Sequence, residues 1–200
     1  MGARSNSSWG RRLGALGLAG ILAGAPLGAV TVKELLDDPK MNPKRFAKIF
    51  ESFSFDMHPF DVQNPDQFLA SRNGNCIDYA VLADHVLKKK GFETRLIRVE
   101  MVGKNVGHAV CYVTESRAYL DYNNRKYFIP LERSGATVRE VATRVAASFD
   151  ANWTFASEFT FDYKTYSKRA LYTVVKTEPP SKDPDSDPEK LRKIRSKLKP

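Results

Sequence analysis

The stretch RNGNCIDYAVLADHVLKKKG, residues 72–91, decides how this chain folds. It opens on Arg72-Asn73-Gly74-Asn75, a turn composition, and closes on Gly91, which takes left-handed backbone without strain and so ends helices. Between them, from Cys76 to Lys90, no Pro or Gly interrupts Ile77, Tyr79, Ala80, Val81, Leu82, Ala83, Val86 and Leu87. Apolar residues fall almost all round a 3.6-residue period, so the spacing predicts a central helix that is buried rather than lying on the surface.

On the N-terminal side, Asn42-Pro43 and Asn64-Pro65 each place an N-cap before a Pro at the first helical position. Phe46, Ile49, Phe50 and Phe53 form one apolar stripe on the first of these helices, and Phe68 and Leu69 serve the second, shorter one. On the C-terminal side the period changes to two. Arg95–Val102 alternates Ile97, Val99 and Met101 with polar residues, and His108–Val113 and Ala118–Tyr122 read as a hairpin across Thr114–Arg117. Lys126–Ile129 is a further short strand candidate. Thr137 with Glu140 makes a capping box for a helix through Phe149 with Val138, Val141 and Val145 on one side. Phe159, Phe161 and Tyr163 alternate again, Leu171–Val175 is strand-like, and these aromatics with Tyr172 read as core. Helices first and antiparallel strands after predict an α+β fold with the central helix packed on the sheet.

The chain has 200 residues, 42% of them hydrophobic, enough for one domain with a real core. Two Cys exclude a disulfide framework and a four-thiolate zinc site, and no grouping has zinc or EF-hand spacing, so no cofactor or metal is expected. The net charge of +9 is spread evenly, +3 on residues 1–29, +3 on residues 176–200 and +3 on the rest, so it says little about the core's partner and no specific nucleic acid is expected. Residues 1–29 carry Arg11-Arg12, an apolar Gly-rich run and small residues, the three parts of a signal peptide, with an uncleaved membrane anchor as the alternative. Cleavage there would leave a domain at 30–176 in a periplasmic or secreted setting. Residues 177–200 form a Pro-rich linker and a basic tail that is either solvated or a contact for an acidic envelope surface.

Cys76 carries the chemistry. At a helix start, unpaired N–H groups and the positive end of the dipole favour a thiolate and can also receive an oxyanion. Asp78 is expected to point away and serve the dipole. Of the three His, His85 lies ~13 Å along the helix from Cys76 and cannot be its base; His58, beside Pro59, has nothing to orient it. His108 follows Gly107, where little bulk blocks approach. Asp121 comes thirteen residues later, and a two- or four-residue hairpin loop would set the two opposite each other on one face, whereas a three-residue loop would split them. Cys111, three residues from His108, is expected on the other face as a buried free thiol.

Arg72–Ala83, Gly91-Phe92-Glu93-Thr94-Arg95, Gly107-His108-Ala109-Val110 and Tyr119-Leu120-Asp121 together resemble the transglutaminase-like superfamily. The resemblance covers roughly residues 68–128 and implies a papain-like core with a Cys76–His108–Asp121 catalytic triad. Ile77 stands where many animal-type members have Trp, and the upstream oxyanion partner is open between Gln63 and Gln67. The resemblance and the signal-like N-terminus together imply an exported enzyme that attacks protein or peptide amides through a thioester, by hydrolysis rather than cross-linking. The alternative is a catalytically silent scaffold that binds peptide or envelope material.

Overall fold

A computed structural model describes residues 30–58, 61–104, 107–123 and 131–176. The signal-peptide segment, the tail and the strand expected at Lys126–Ile129 lie outside them. Three short helices come first: α1 (Val32–Asp37), α2 (Pro43–Ile49) and α3 (Pro65–Ser71). Asn42 caps α2 by accepting from the Arg45 amide, and Asn64 caps α3 by accepting from Asp66 and Gln67. The apolar stripes of the sequence do not announce α1, whose six residues carry a Thr31–Glu34 capping box but only one buried side chain, Leu35.

The long central helix α4 (Cys76–Lys89) is buried at ten of its fourteen positions, so it is enclosed rather than laid on the surface. Its N-terminus is held by a reciprocal box, in which the Asn75 side chain accepts from the Ile77 and Asp78 amides and the Asp78 carboxylate accepts from the Asn75 amide. The segment before it differs from the expected plain turn. Asn73–Gly74 forms a two-residue strand, β2, parallel to β1 (Ser54–Phe55), and this pairing fixes the approach to Cys76.

The main sheet has six strands: β3 (Thr94–Met101), β4 (His108–Val113), β5 (Ala118–Leu120), β6 (Glu132–Arg133), β7 (Trp153–Asp162) and β8 (Ser167–Val175). Their order is β6-β5-β4-β3-β7-β8, and every neighbouring pair is antiparallel. α4 covers one face, through Leu96, Ala109, Cys111, Val113 and Leu120. α5 (Val138–Ser148) covers the other, through Ile97, Val99, Val110, Tyr112 and Tyr119. Both faces of β4 are therefore covered, which explains why all six of its residues are buried. The α+β architecture with a central helix on an antiparallel sheet is thus present. β7 starts well before the aromatic alternation at Phe159, because Trp153 and Ala156 turn inward under α5. Tyr172 does not join the core: it is 46% exposed, and its hydroxyl accepts from the Arg95 guanidinium at 2.7 Å.

Candidate active site

Each member of the site is placed by a different part of the core. Cys76 is the first residue of α4, and its partners come from the adjoining ends of β4 and β5. Tyr122 anchors the chain beyond β5: it stacks on Tyr79 at 5.1 Å, and its hydroxyl donates to the Ser54 carbonyl at 2.7 Å. Because Tyr122 is drawn into the α4-side aromatic cluster, the neighbouring Asp121 is turned to the opposite side, toward His108.

The hairpin loop Thr114–Arg117 has four residues, pairing Val113 with Ala118 and Cys111 with Leu120. Continued along the strands, that register puts residue 123 across from 108, so Asp121 reaches His108 diagonally rather than from directly opposite. The two still share a face, since they differ from a cross-strand pair by two residues. His108 Nε2 lies 2.7 Å from Asp121 Oδ1, with both groups buried. Asn123 Nδ2 donates to the same carboxylate oxygen at 3.0 Å, a contact foreshadowed only by its i+2 spacing from Asp121. The imidazole packs against Phe149, at 4.8 Å between ring centres. With Nε2 turned to Asp121, Nδ1 is the nitrogen left for sulfur, and Cys76, His108 and Ala109 line one cleft, close enough for the imidazole and the Ala109 amide to act on the thiol.

These contacts shift both groups. Burial by itself would raise the Cys76 thiol, yet the charge and hydrogen bond of His108 and the Ala109 amide bring it below the ordinary value. Burial would lower His108, but the Asp121 carboxylate and the Cys76 thiolate outweigh it and raise the imidazole to about 10. Both shifts act in the same sense, favouring the thiolate–imidazolium pair over the neutral thiol and imidazole. Asn75 takes up the Ile77 and Asp78 amides. Among the described residues nothing accepts from the Cys76 N–H itself, which leaves that group available to an oxyanion.

Around the sulfur is an open cleft of about 610 Å³ whose walls include Met57, His58, Ile77, Arg98, Met101 and Phe149. Two expectations change here. His58 is firmly oriented: its Nε2 lies 2.6 Å from Asp78 Oδ2 and 3.0 Å from Asn75 Nδ2. Its partner is twenty residues away in sequence, so no local pattern could have shown it. Asp78 does serve the helix N-terminus, but as a buried acceptor for Asn75, for both the amide and the side chain of Gln63, and for His58, not as an outward-facing charge. Gln63 is spent on Asp78 and on the Asn73 carbonyl, and neither it nor Gln67 lines the cleft. The space above Gly107 is not open, because the Glu100 carboxylate and Arg98 occupy it. His85 lies elsewhere, edge-on to Tyr163 at 5.3 Å.

Cys111 is a free buried thiol, raised by burial and by the nearby Asp84 charge, with Lys88 opposing. The reason differs from the expected one. Cys111 is on the face covered by α4 itself, but it lies beside the level of Asp84, ~12 Å along the helix from Cys76, too far for a disulfide. Among the described residues, no three His, Cys, Asp or Glu side chains are grouped to hold a metal ion.

Gly74 explains how tightly the approach to Cys76 is packed. A Cβ there would come within 2.6 Å of the Phe68 ring and 2.8 Å of Asp78 Oδ2. Phe68 is fully buried and stacked on Phe50, so it cannot yield cheaply. Gly74→Ala should cost about 1–3 kcal/mol in urea unfolding; a variant as stable as the parent would refute this close packing.

Residues 37–142, just over half of the chain, match the family profile of the transglutaminase-like domain. The chain belongs to that family. Calcium-bound LapG of Legionella pneumophila is similar at 14% identity, over 84% of this chain and 87% of that one, with a TM-score of 0.41. A Cytophaga hutchinsonii protein described as a candidate cysteine protease is similar at 15% identity, over 76% of this chain and 53% of that one, with a TM-score of 0.35. The chain thus spans about half the length of the Cytophaga protein. No curated protein matches.

Proposed function

We propose that this protein is a cysteine hydrolase of peptide or protein amide bonds, with Cys76 as nucleophile, His108 as acid and base, and Asp121 as the group that orients His108. The observation that carries this reading is the His108 ring, bound at Nε2 to Asp121 and sharing one cleft with Cys76, on whose thiol it acts. The thiolate adds to the amide carbon while the carbonyl oxygen takes the Cys76 N–H. The C–N bond then breaks, and the leaving amine takes the proton from His108 Nδ1. Water, deprotonated by the same nitrogen, adds to the thioester, releasing the carboxylic acid and regenerating the thiol. Cys76 lines the open cleft, so water can reach a thioester formed there; this favours hydrolysis over transfer to an amine.

The test exposes a denatured protein mixture to the chain and to its Cys76→Ala variant and reads the products by mass spectrometry. New N-termini, or glutamine converted to glutamate, should appear with the parent and fall at least ~10⁴-fold with the variant. Amine-linked products would replace hydrolysis by transfer. Identical product sets from the two proteins would leave a non-catalytic peptide-binding scaffold. We further infer export, from the signal-like residues 1–29, with the basic tail as a contact for an acidic envelope surface. Among the described residues no helix is long and apolar enough to cross a membrane.

A further inference from the structure

At the opposite end of β4 and β5 from Cys76, ~17 Å along the strands, is a second concavity, of about 450 Å³. Three guanidiniums line it from three separate elements: Arg117 from the β4–β5 turn, Arg133 from β6 and Arg144 from α5. Among the described residues none of the three is ion-paired to a carboxylate. The two nearest acids are already engaged as backbone acceptors: Glu115 takes the Glu93 amide at 2.8 Å, and Glu140 takes the Thr137 amide and hydroxyl at 3.0 and 2.7 Å. They offset part of the positive charge, with Glu140 acting on Arg117. The backbone beneath is fixed, because the Ser134 amide donates to the Arg117 carbonyl at 3.1 Å and Ala118 pairs with Arg133.

Ser134 supplies an independent observation. Ser134 lines this concavity, and its hydroxyl oxygen is buried with no hydrogen-bond partner among the described residues. A buried hydroxyl without a partner is destabilising, and an anion oxygen that reaches it after a side-chain rotation recovers the lost hydrogen bond. A planar carboxylate is satisfied by one guanidinium fork, whereas three forks from three directions match the several oxygens of a tetrahedral anion. We propose that Arg117, Arg133, Arg144 and Ser134 form a binding site for a phosphate group, separate from the Cys76 cleft and independent of whether that cleft is catalytic.

The test uses the full chain, titrated with inorganic phosphate by calorimetry and thermal unfolding, against sodium chloride and sodium acetate at equal ionic strength. Phosphate should bind and raise the unfolding temperature, with little response to chloride or acetate. Arg133→Gln and Arg144→Gln should each weaken binding at least tenfold. Ser134→Ala, which changes no charge, should weaken it severalfold. Glycerol phosphate binding more tightly than inorganic phosphate would identify an ester as the ligand, and the reverse order a free ion. An equal response to chloride or acetate, or phosphate affinity unchanged in all three variants, would overturn the site. Loss of amide cleavage in Cys76→Ala leaves these measurements untouched, so the two readings fail separately.

Discussion

Replacing His108 by Ala should slow the alkylation of Cys76 by iodoacetamide at pH 7 by roughly 10–100-fold. In the parent protein, His108 is the main influence that brings the thiol below its ordinary value despite burial. Without the imidazole, burial and the Asp121 charge remain, and both favour the neutral thiol. A lower-pKa thiolate is intrinsically less nucleophilic, with a Brønsted slope of about 0.4–0.5, so the loss is smaller than the change in ionised fraction. The sign extends to stability. His108 is raised to about 10, so its stabilising share is complete below the ordinary imidazole pKa and is lost as pH climbs through about 10. Cys76 is lowered, so its share is present above the ordinary thiol pKa and disappears as pH falls through the folded value. Amide cleavage should therefore fade on the acid side as the thiolate protonates and on the alkaline side near pH 10 as His108 loses its proton. The measurement is the mass-spectrometric rate of labelling at Cys76 between pH 5 and 10, with Cys76→Ala as the blank. Equal rates in the parent and in His108→Ala at pH 7 would mean that the two side chains do not interact in solution.

The second large effect concerns folding. Asp78→Ala should destabilise the domain by about 3–5 kcal/mol, because it strands several buried partners at once. The Asn75 amide, the Gln63 amide and side chain, and His58 Nε2 all converge on this one carboxylate, which is 1% exposed. At ~2–4 °C per kcal/mol for a domain of this size, the midpoint of thermal unfolding should fall by about 10 °C. Asp78→Asn keeps the shape and one acceptor oxygen and should lose less. A drop below about 1 kcal/mol for Asp78→Ala in urea titrations would show that water takes over these donors.

Much of this arrangement was legible in the sequence because local chemistry wrote it there. Asn75 and Gly91 bound the central helix, Thr137 with Glu140 opens the last one, alternation marks β3, and short apolar runs either side of a turn mark β4 and β5. The three residues of the candidate triad could be named because helix starts and strand parity are local properties. The rest depends on distant partners. β1 and β2 have two residues each and therefore no period to detect, and their pairing joins Ser54 to Asn73. His58 looked unoriented because its anchor is Asp78, brought near only by that pairing. The diagonal reach of Asp121 follows from the hairpin register: with Val113 paired to Ala118, the expected four-residue loop sets residue 123, not Asp121, across from His108. Tyr172 reads as core by alternation, but it lies on the outermost strand, where Arg95 engages its hydroxyl.

The separation of Cys76 from Cys111 along α4 also determines how the protein would age under peroxide. An activated sulfur oxidised to sulfenic acid is normally protected when a second thiol condenses with it. Cys111 is sealed in the core about two helical turns away and cannot make that rescue, so Cys76 would proceed to irreversible acids unless a thiol from another molecule intervened.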